Sequence, residues 1–544
     1  MKLSIRPLRH LSVALVMLLA ACLNENPKGL LFEEQAYNSA ANLYNNAVAT
    51  LYNYIGGSAD SQGLMGTYRG VYDYNTFTTD EAIIPTRGGD WYDGGFWQNL
   101  YRHSWTAYDQ PLYNTWTYLY KVVMLCNHSL AVIDAHKQLL TTAQYQAYVA
   151  EVTGVRCLYY YELLDMWGRV PLVKDDGVTL SSVKQVSRSA LFYDIIKDLQ
   201  GSLPYLLQEH SNLEGNCYGR FTRPVAQFLL ARLMLNAEVY ADDDWTDGSR
   251  PDGKSMSFSI DGQTMNAWQA CIYYCNQLEA AGYTLEQDYA ANFSIHNETS
   301  VENIFTIPMD KVKYQNMFLY LFRSRHYAHG SALGMDAENG SSATLSTVRA
   351  YGYDSGEVDK RFAINFFADT VKVDGNVVKL DNGQPLVYKP LVMALDLTGS
   401  ADEKTAGARM SKYEIDRTAH ADGKLQDNDI VLFRYADALL MRAEAKVRNG
   451  ESGQAELDAV RSRVGMTVRP ATLENILTER LLELMWEGTR RQDLIRYGSF
   501  TAAYDLRTQL EKENTGYTTV FPIPANVLKL NTQLNQNPGY ESTK

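Results

Sequence analysis

Apolar residues recur every three or four positions in segment after segment of this chain, and that period constrains its fold more than any other feature. Leu112, Trp116, Leu119, Val123, Cys126, Leu130 and Ile133 keep it, and so do Tyr145, Tyr148, Val152, Val155, Tyr159 and Leu163. A stripe so spaced lies on one face of an α-helix and has to be buried against a neighbour. Segments 190–207, 223–240 and 266–281 behave likewise, as do 430–449, ending in Asn449-Gly450, and 473–497, ending in Gly498. Gly168 and Pro171 stop the helix before them. The short links predict helix hairpins of the tetratricopeptide-repeat-like kind, although no strict repeat at that period is visible. The expected fold is mainly α, a helical-repeat scaffold.

Two stretches break the pattern. Residues 56–109 are rich in glycine and aromatics; residues 241–427 turn to Gly, Asp, Ser and Asn with short alternating runs such as Thr370–Val373 and Val377–Leu380. The second reads as irregular structure with small β-hairpins inserted between helices. Long loops on a rigid helical frame are the usual place for recognition, so function is expected in these two interruptions. The organisation expected is a leader at 1–21, an N-terminal helical part at 22–240 carrying the loop 56–109, an insert at 241–427, and a C-terminal helical part at 428–544 packed into one body with the first.

Leu19-Ala20-Ala21-Cys22 marks the end of the expected leader. A basic start (Lys2, Arg6, Arg9) and an apolar run from Leu11 to Leu19 precede it, a run too short to cross a bilayer. A cysteine directly after small residues is the bacterial lipobox, which predicts cleavage before Cys22, acylation of its thiol, and a lipid-anchored body. Loss of residues 1–21 removes three cations and no acid, taking the net charge from −13 to −16. A body so acidic gains nothing from counterion release, which excludes nucleic acid as a partner. The remaining cysteines, 126, 157, 217, 271 and 275, are odd in number and contain no C-x-x-C pair, so buried free thiols are expected.

In the C-terminal third the chain becomes recognisable. Phe433-Arg434-Tyr435-Ala436-Asp437-Ala438-Leu439-Leu440-Met441-Arg442-Ala443-Glu444-Ala445, then Glu479-Arg480 leading to Trp486-Glu487-Gly488-Thr489-Arg490-Arg491-Gln492-Asp493-Leu494-Ile495-Arg496-Tyr497-Gly498, resemble the hallmark segments of the SusD/RagB family. Phe521-Pro522-Ile523-Pro524 and Asn535-Gln536-Asn537-Pro538-Gly539-Tyr540 match that family's tail, and Tyr159–Leu163, Trp167–Leu172 and Val301–Phe305 fit it earlier. These are mainly packing and pairing motifs: the apolar positions of 430–449 form one face, and Glu487 and Arg491, at i and i+4, are spaced to pair on a helix surface. The resemblance implies an outer-membrane lipoprotein facing outward that captures oligosaccharides or polysaccharides and lids a SusC-like TonB-dependent transporter. It implies several tetratricopeptide-like helix pairs, a glycan site built from the intervening loops, no catalysis and no cofactor.

Within the first interruption, residues 80–99 hold four aromatics, four carboxylates and an arginine among glycines. A sugar has an apolar C–H face and a rim of hydroxyls, so its site needs a flat aromatic and charged or amide groups. Burying about 100 Å² in such a stack contributes roughly 2.5 kcal/mol. Trp91, Tyr92 and Trp97 are candidates for the face, and Asp80, Glu81, Arg87, Asp90 and Asn99 for the rim. Trp91, set between Gly89 and Gly94, reads equally as a platform or as a satellite core; Trp97, where helical texture resumes, reads first as an anchor. The family places further glycan contacts near the start of the middle insert. Tyr314, Phe318, Tyr320, Arg323 and Tyr327 stand there without a tryptophan, so Tyr320 and Tyr327 are the candidates to complete an aromatic arc. Arg361, in Asp359-Lys360-Arg361-Phe362, is a further candidate that reads more readily as a structural ion pair.

Asp242-Asp243-Asp244-Trp245-Thr246-Asp247-Gly248 lacks the Gly and Glu positions of an EF-hand and reads as a solvated acidic turn, while His326 and His329 are too few for zinc. No metal is expected. G-x-S-x-G, H-E-x-x-H and G-x-x-x-x-G-K-[ST] are all missing. Carboxylate pairs that cleave glycosides have no fixed spacing in sequence, so a lipid-anchored glycoside hydrolase stays open as an alternative, beside a helical-repeat surface adaptor or adhesin that binds protein.

Overall fold

The computed structural model describes residues 36–57, 63–179, 182–313, 323–419 and 426–542. Cys22 and its lipobox lie outside them. Within the described residues the helices are, in order, α1 (Ala40–Ala47), α2 (Val71–Phe77), α3 (Phe96–Arg102), α4 (Gln110–Ala135), α5 (Thr142–Trp167), α6 (Arg188–Ser202), α7 (Arg223–Leu235), α8 (Ala267–Ala280), α9 (Tyr327–Leu333), α10 (Tyr435–Asn449), α11 (Gln454–Arg463), α12 (Leu473–Leu484) and α13 (Arg490–Arg496), with shorter turns between.

Neighbouring helices pack as expected of hairpins. α4 lies on α5 and α5 on α6; α7 lies on α8, α8 on α10, and α10 on α11 and α12. The ends are chemically marked. Thr141 and Gln144 form a reciprocal capping box at the start of α5, Asn266 and Gln269 do the same for α8, and Gly450 closes α10 in the left-handed conformation. Leu112, Trp116, Leu119, Val123, Cys126 and Ile133 of α4 are all buried, so its stripe is the face against the core. The second half of α5 differs from the one-sided stripe: from Val155 to Tyr161 every residue is buried, which makes it a central helix. Its Gly154 lets the Phe221 ring approach to where a Cβ would stand 2.3 Å away. All five described cysteines are free and buried.

Segment 223–240 breaks briefly at Asn236, and two other expected helices are interrupted more deeply. Segment 430–449 begins as a strand, Ile430–Arg434, and turns helical only at Tyr435. Ile430, Val431 and Phe433 form an apolar, β-favouring run that pairs antiparallel with Asn303–Ile307. Segment 473–497 breaks between α12 and α13, where Trp486 (φ +68°) and Gly488 (φ +70°) are left-handed. The Trp486 N–H leaves helical pairing to donate to Glu81 Oε1 at 2.5 Å, and Tyr72 packs against Gly488. The break also overturns the Glu487–Arg491 surface pair: Glu487 lies before α13 and accepts from Arg434 and Lys412, while Arg491 is buried against Asp165 at 2.6 Å.

The family-like residues thus build an interior ion network. Arg434 donates to Glu302 (2.7 Å), Glu483 (2.6 Å) and Glu487 (2.8 Å); Arg463 joins Glu302 and Glu483; and Arg461 joins Glu479. Burial raises the Glu483 carboxyl, but Arg463, Arg434 and Arg361 outweigh it and hold the group well below the usual range. A network so enclosed is costly to break from one side, because the partner left behind is a buried unpaired charge.

Four strands position the site: β1 (Ala82–Ile83), β2 (Asn303–Ile307), β3 (Ser342–Ala343) and β4 (Ile430–Arg434). β2 and β4 pair, so the chain between them departs from and returns to one ladder. β1 pairs antiparallel with β3, Ala82 opposite Ala343 and Ile83 opposite Ser342. That short ladder joins the first interruption to the second.

Candidate functional site

Beyond β1 the chain is held to the insert again, Thr86 N–H donating to Leu395 O (3.0 Å) and Leu397 N–H to Thr86 O (2.9 Å). A tight turn follows, closed by Arg87 and Asp90, and then a run of left-handed residues: Trp91 (φ +64°), Asp93, Gly94 and Gly95. Gly94 and Gly95 adopt this freely, but a tryptophan there is strained and has to be held by its surroundings. Three contacts hold Trp91. Its Nε1 donates to the Glu338 carbonyl at 2.7 Å, its ring meets the Trp97 ring edge-on at 5.8 Å, and Gly340 leaves room where a Cβ would stand 2.7 Å from the indole.

The result is a cleft of about 720 Å³ between the two interruptions. Tyr68, Arg69, Asp90, Trp91 and Asp93 line it from the first; Tyr327 and Glu338 line it from the second; Gln110 and Asn114, from the start of α4, complete it. Its polar groups are tied together in pairs. Tyr327 Oη donates to Asp90 Oδ2 (2.8 Å), Tyr68 Oη donates to Glu338 Oε2 (2.5 Å), and Arg69 stands 3.0 Å from Asp93 Oδ2. Burial, followed by the adjoining carboxylates, raises both phenols above their ordinary range. A volume of this size, with aromatic faces and carboxylates at one rim, suits a few sugar units.

The sequence-predicted residues divide sharply. Asp90, Trp91 and Tyr327 come together in the cleft. Trp97 also borders it but is 1% exposed; it rests edge-on against Phe77, Trp91 and Phe96, and its Nε1 donates to Asp93 Oδ2 at 2.7 Å. Arg323 sits 5.5 Å from the Trp97 ring and is buried in a two-point pair with Asp73. Tyr92 is 57% exposed and stands outside the cleft lining. Tyr320, with Tyr314 and Phe318, lies outside the described residues.

Five candidates are engaged by the fold instead. Asp80 is gripped at both oxygens by Arg490, at 2.7 and 2.8 Å. Glu81 is buried beneath the Trp486 N–H, and that burial raises its carboxyl to about 8. Arg87 is buried and donates to Ser342 Oγ and the carbonyls of Glu403 and Ala406, lacing turn to insert. Asn99 accepts from Ser104 beside its own helix end. Arg361 is enclosed by Asp359, Glu479 and Glu483 at 2.7–2.8 Å. Glu81, Arg87 and Arg361 are buried, and Asp80 and Asn99 half-buried, so the fold already occupies the polar groups that composition offered for a rim.

Tyr68, Arg69, Asp93, Glu338, Gln110 and Asn114 were not singled out. Gly66-Thr67-Tyr68-Arg69-Gly70 was a usable signal, an aromatic and a cation bracketed by glycines inside the first interruption. Glu338 carries none, because it meets Trp91 through long-range pairing of the two interruptions.

A family model described as "SusD family" matches residues 254–540, and one described as "Starch-binding associating with outer membrane" matches residues 60–235. The starch-binding protein SusD of Bacteroides thetaiotaomicron is 23% identical over 538 residues, covering 90% of this chain and 89% of that protein. A SusD-like protein of Bacteroides ovatus is 23% identical over 504 residues, covering 88% and 80%. Among solved structures, surface glycan-binding protein A from Bacteroides thetaiotaomicron in complex with laminarihexaose superposes with a TM-score of 0.67 at 18% identity, covering 91% of this chain and 98% of that one. A SusD homologue from the same organism reaches 0.70 at 18% identity, covering 93% and 98%. The helical scaffold is therefore shared along nearly the whole length, and with one family model spanning more than half of its residues, the chain belongs to the SusD family.

Proposed function

We propose that this chain is a lipid-anchored outer-membrane protein that captures oligosaccharides or polysaccharides in the cleft around Trp91 and passes them, uncleaved, to a SusC-like TonB-dependent transporter. The cleft carries the reading: a half-buried tryptophan flanked by Tyr68 and Tyr327 and rimmed by Asp90, Asp93 and Glu338. That chemistry matches the two faces of a sugar. Support comes from a relative named for starch binding, a structural neighbour carrying laminarihexaose, and the outer-membrane wording of the second family model. The lipobox ending at Cys22 supplies the anchor.

A tethered binder that performs no chemistry only raises local ligand concentration unless it sits over something that moves the ligand onward. Tethering makes that encounter nearly intramolecular and raises the effective concentration of each partner for the other. Affinity electrophoresis against a polysaccharide panel tests the binding half. Retention without release of reducing ends is expected, whereas release that survives removal of contaminating hydrolases favours a glycoside hydrolase. Co-purification in mild detergent tests the transporter half; repeated isolation with no barrel of transporter size favours an independent adhesin.

A further inference from the structure

The donors and acceptors of the cleft are unequally available. Tyr327 Oη, Tyr68 Oη, Trp91 Nε1 and Trp97 Nε1 all donate inside the protein, to Asp90, Glu338, the Glu338 carbonyl and Asp93. Because both phenols are raised above their ordinary range, they stay protonated and keep those roles. Gln110 Nε2 donates to Asn114 Oδ1 at 2.8 Å. The cations at hand are each beside a carboxylate: Arg69 3.0 Å from Asp93, Lys404 3.9 Å from Asp90, and Arg323, buried 5.5 Å from the Tyr68 ring, 2.8 Å from Asp73.

The acceptors are in the opposite position. Each cleft carboxylate meets its partners through one oxygen: Asp90 through Oδ2, Asp93 through Oδ2, Glu338 through Oε2. Among the described residues nothing donates to Asp90 Oδ1, Asp93 Oδ1 or Glu338 Oε1. An ionised carboxylate accepts only, and each oxygen has room for about two hydrogen bonds. A sugar hydroxyl donates into such an oxygen with the added strength of a charged acceptor. A uronate carboxylate or a sulfate ester has no proton to give and meets like charge instead, in a protein whose net charge of −13 already repels polyanions.

From this inventory we infer that the cleft selects neutral, hydroxyl-rich glycans and rejects glycans that bring uronate or sulfate groups into it; the inference rests on the glycan-binding role proposed above. Arg69 and Asn114 retain N–H groups for ring or glycosidic oxygens, so a neutral unit can be met on both its donor and acceptor sides.

The test uses purified full-length body and polysaccharides paired by charge: a polyuronide with its carboxyl-reduced form, and a sulfated glycan with its desulfated form, each pair sharing one backbone and linkage. Titration calorimetry is run at physiological salt, once with EDTA and once with calcium. The acidic member of any bound pair is expected to be at least tenfold weaker than its neutral partner. Asp90→Asn with Glu338→Gln, which keeps shape and an acceptor oxygen, is expected to shrink that gap to within about threefold at an unchanged melting temperature. An acidic member bound as tightly as the neutral one, or calcium-dependent retention of the polyuronide, overturns the selectivity and leaves the glycan role standing. Retention of no member of a broad panel by folded protein removes the glycan role, and the selectivity with it.

Discussion

Trp91→Ala and Trp97→Ala are expected to separate a ligand platform from its support. Trp91 forms a half-buried wall of the cleft, whereas Trp97 beneath it is 1% exposed. Stacking that buries about 100 Å² at about 25 cal/mol/Å² contributes roughly 2.5 kcal/mol, so Trp91→Ala should raise the glycan Kd roughly 60-fold. The same change removes an edge-on aromatic contact and the hydrogen bond to the Glu338 carbonyl, together about 2 kcal/mol of folding stability. An unfolding entropy of about 2.1 cal/mol/K per residue over ~520 residues gives about 1.1 kcal/mol/K, so the melting temperature should fall by only about 2 °C. Trp97→Ala empties a fully packed site at a cost of about 3–5 kcal/mol, or about 4 °C, and reaches the ligand indirectly, through the shifted Trp91 and the released Asp93. Titration calorimetry at 25 °C and scanning calorimetry measure the two quantities. Trp91→Ala binding within threefold of wild type, or a larger affinity loss in Trp97→Ala while both remain folded, refutes the assignment.

Because burial raises the Glu81 carboxyl from 4.5 to about 8, the folded state holds that proton more tightly than the unfolded chain, and stability drains away as pH rises from about 4.5 through 8. Glu81→Gln should therefore gain in melting temperature over wild type progressively toward pH 8; a difference that stays constant between pH 5 and 8 counts against it. Asp437, held at about 2 by Arg480 and Arg232 against burial, and Glu444, held at about 2 by Arg496 and Arg448, act in the opposite sense. Their stabilisation is complete above about 4.5 and is lost as pH falls toward 2, which acid titration of the fold would register. Arg434→Met strips the shared cation from Glu302, Glu483 and Glu487, leaving Arg463, Arg361 and Lys412 to balance them, and should cost about 3–5 kcal/mol with glycan affinity unchanged in the surviving folded protein. Cys22→Ala should leave the protein unprocessed or released; undiminished palmitate labelling and membrane fractionation would contradict the lipobox.

Features set by neighbours along the chain were legible in the sequence. The α4 stripe could be read because helical periodicity is local, and each of its buried positions follows from the ones before. The break between α12 and α13 could not, since Tyr72 and Glu81, some 400 positions away, impose it. The same limit governed the site. Residues 80–99 have the composition of a sugar-binding loop, yet whether Asp90 faces solvent or Glu81 faces Trp486 depends on which strands enclose them. Glu338 and Trp91 meet where Ala82 pairs with Ala343 and Thr86 with Leu395, contacts that no local pattern announces. Glu487 illustrates the converse: a charged residue in a motif invites a surface reading, and burial among counter-charges is a tertiary fact.

The β2–β4 ladder gives the molecule a property of evolutionary interest. Since the chain leaves the helical frame at Ile307 and returns opposite it at Ile430, the exposed hairpins between, such as that of Lys372–Val377, can be lengthened, shortened or exchanged by recombination without altering the distance the frame has to span. Buried ties limit that freedom, because Arg361 and Lys412 of the excursion are locked to Glu479, Glu483 and Glu487 of the frame. Through β1 and β3 the excursion is stitched to the loop that carries Trp91, so a transplant of ligand preference between relatives would have to carry both loops at once. Single-loop chimaeras spliced at Ile307 and Ile430 should fold on the frame yet mismatch at the seam, whereas two-loop chimaeras should inherit the donor's glycan.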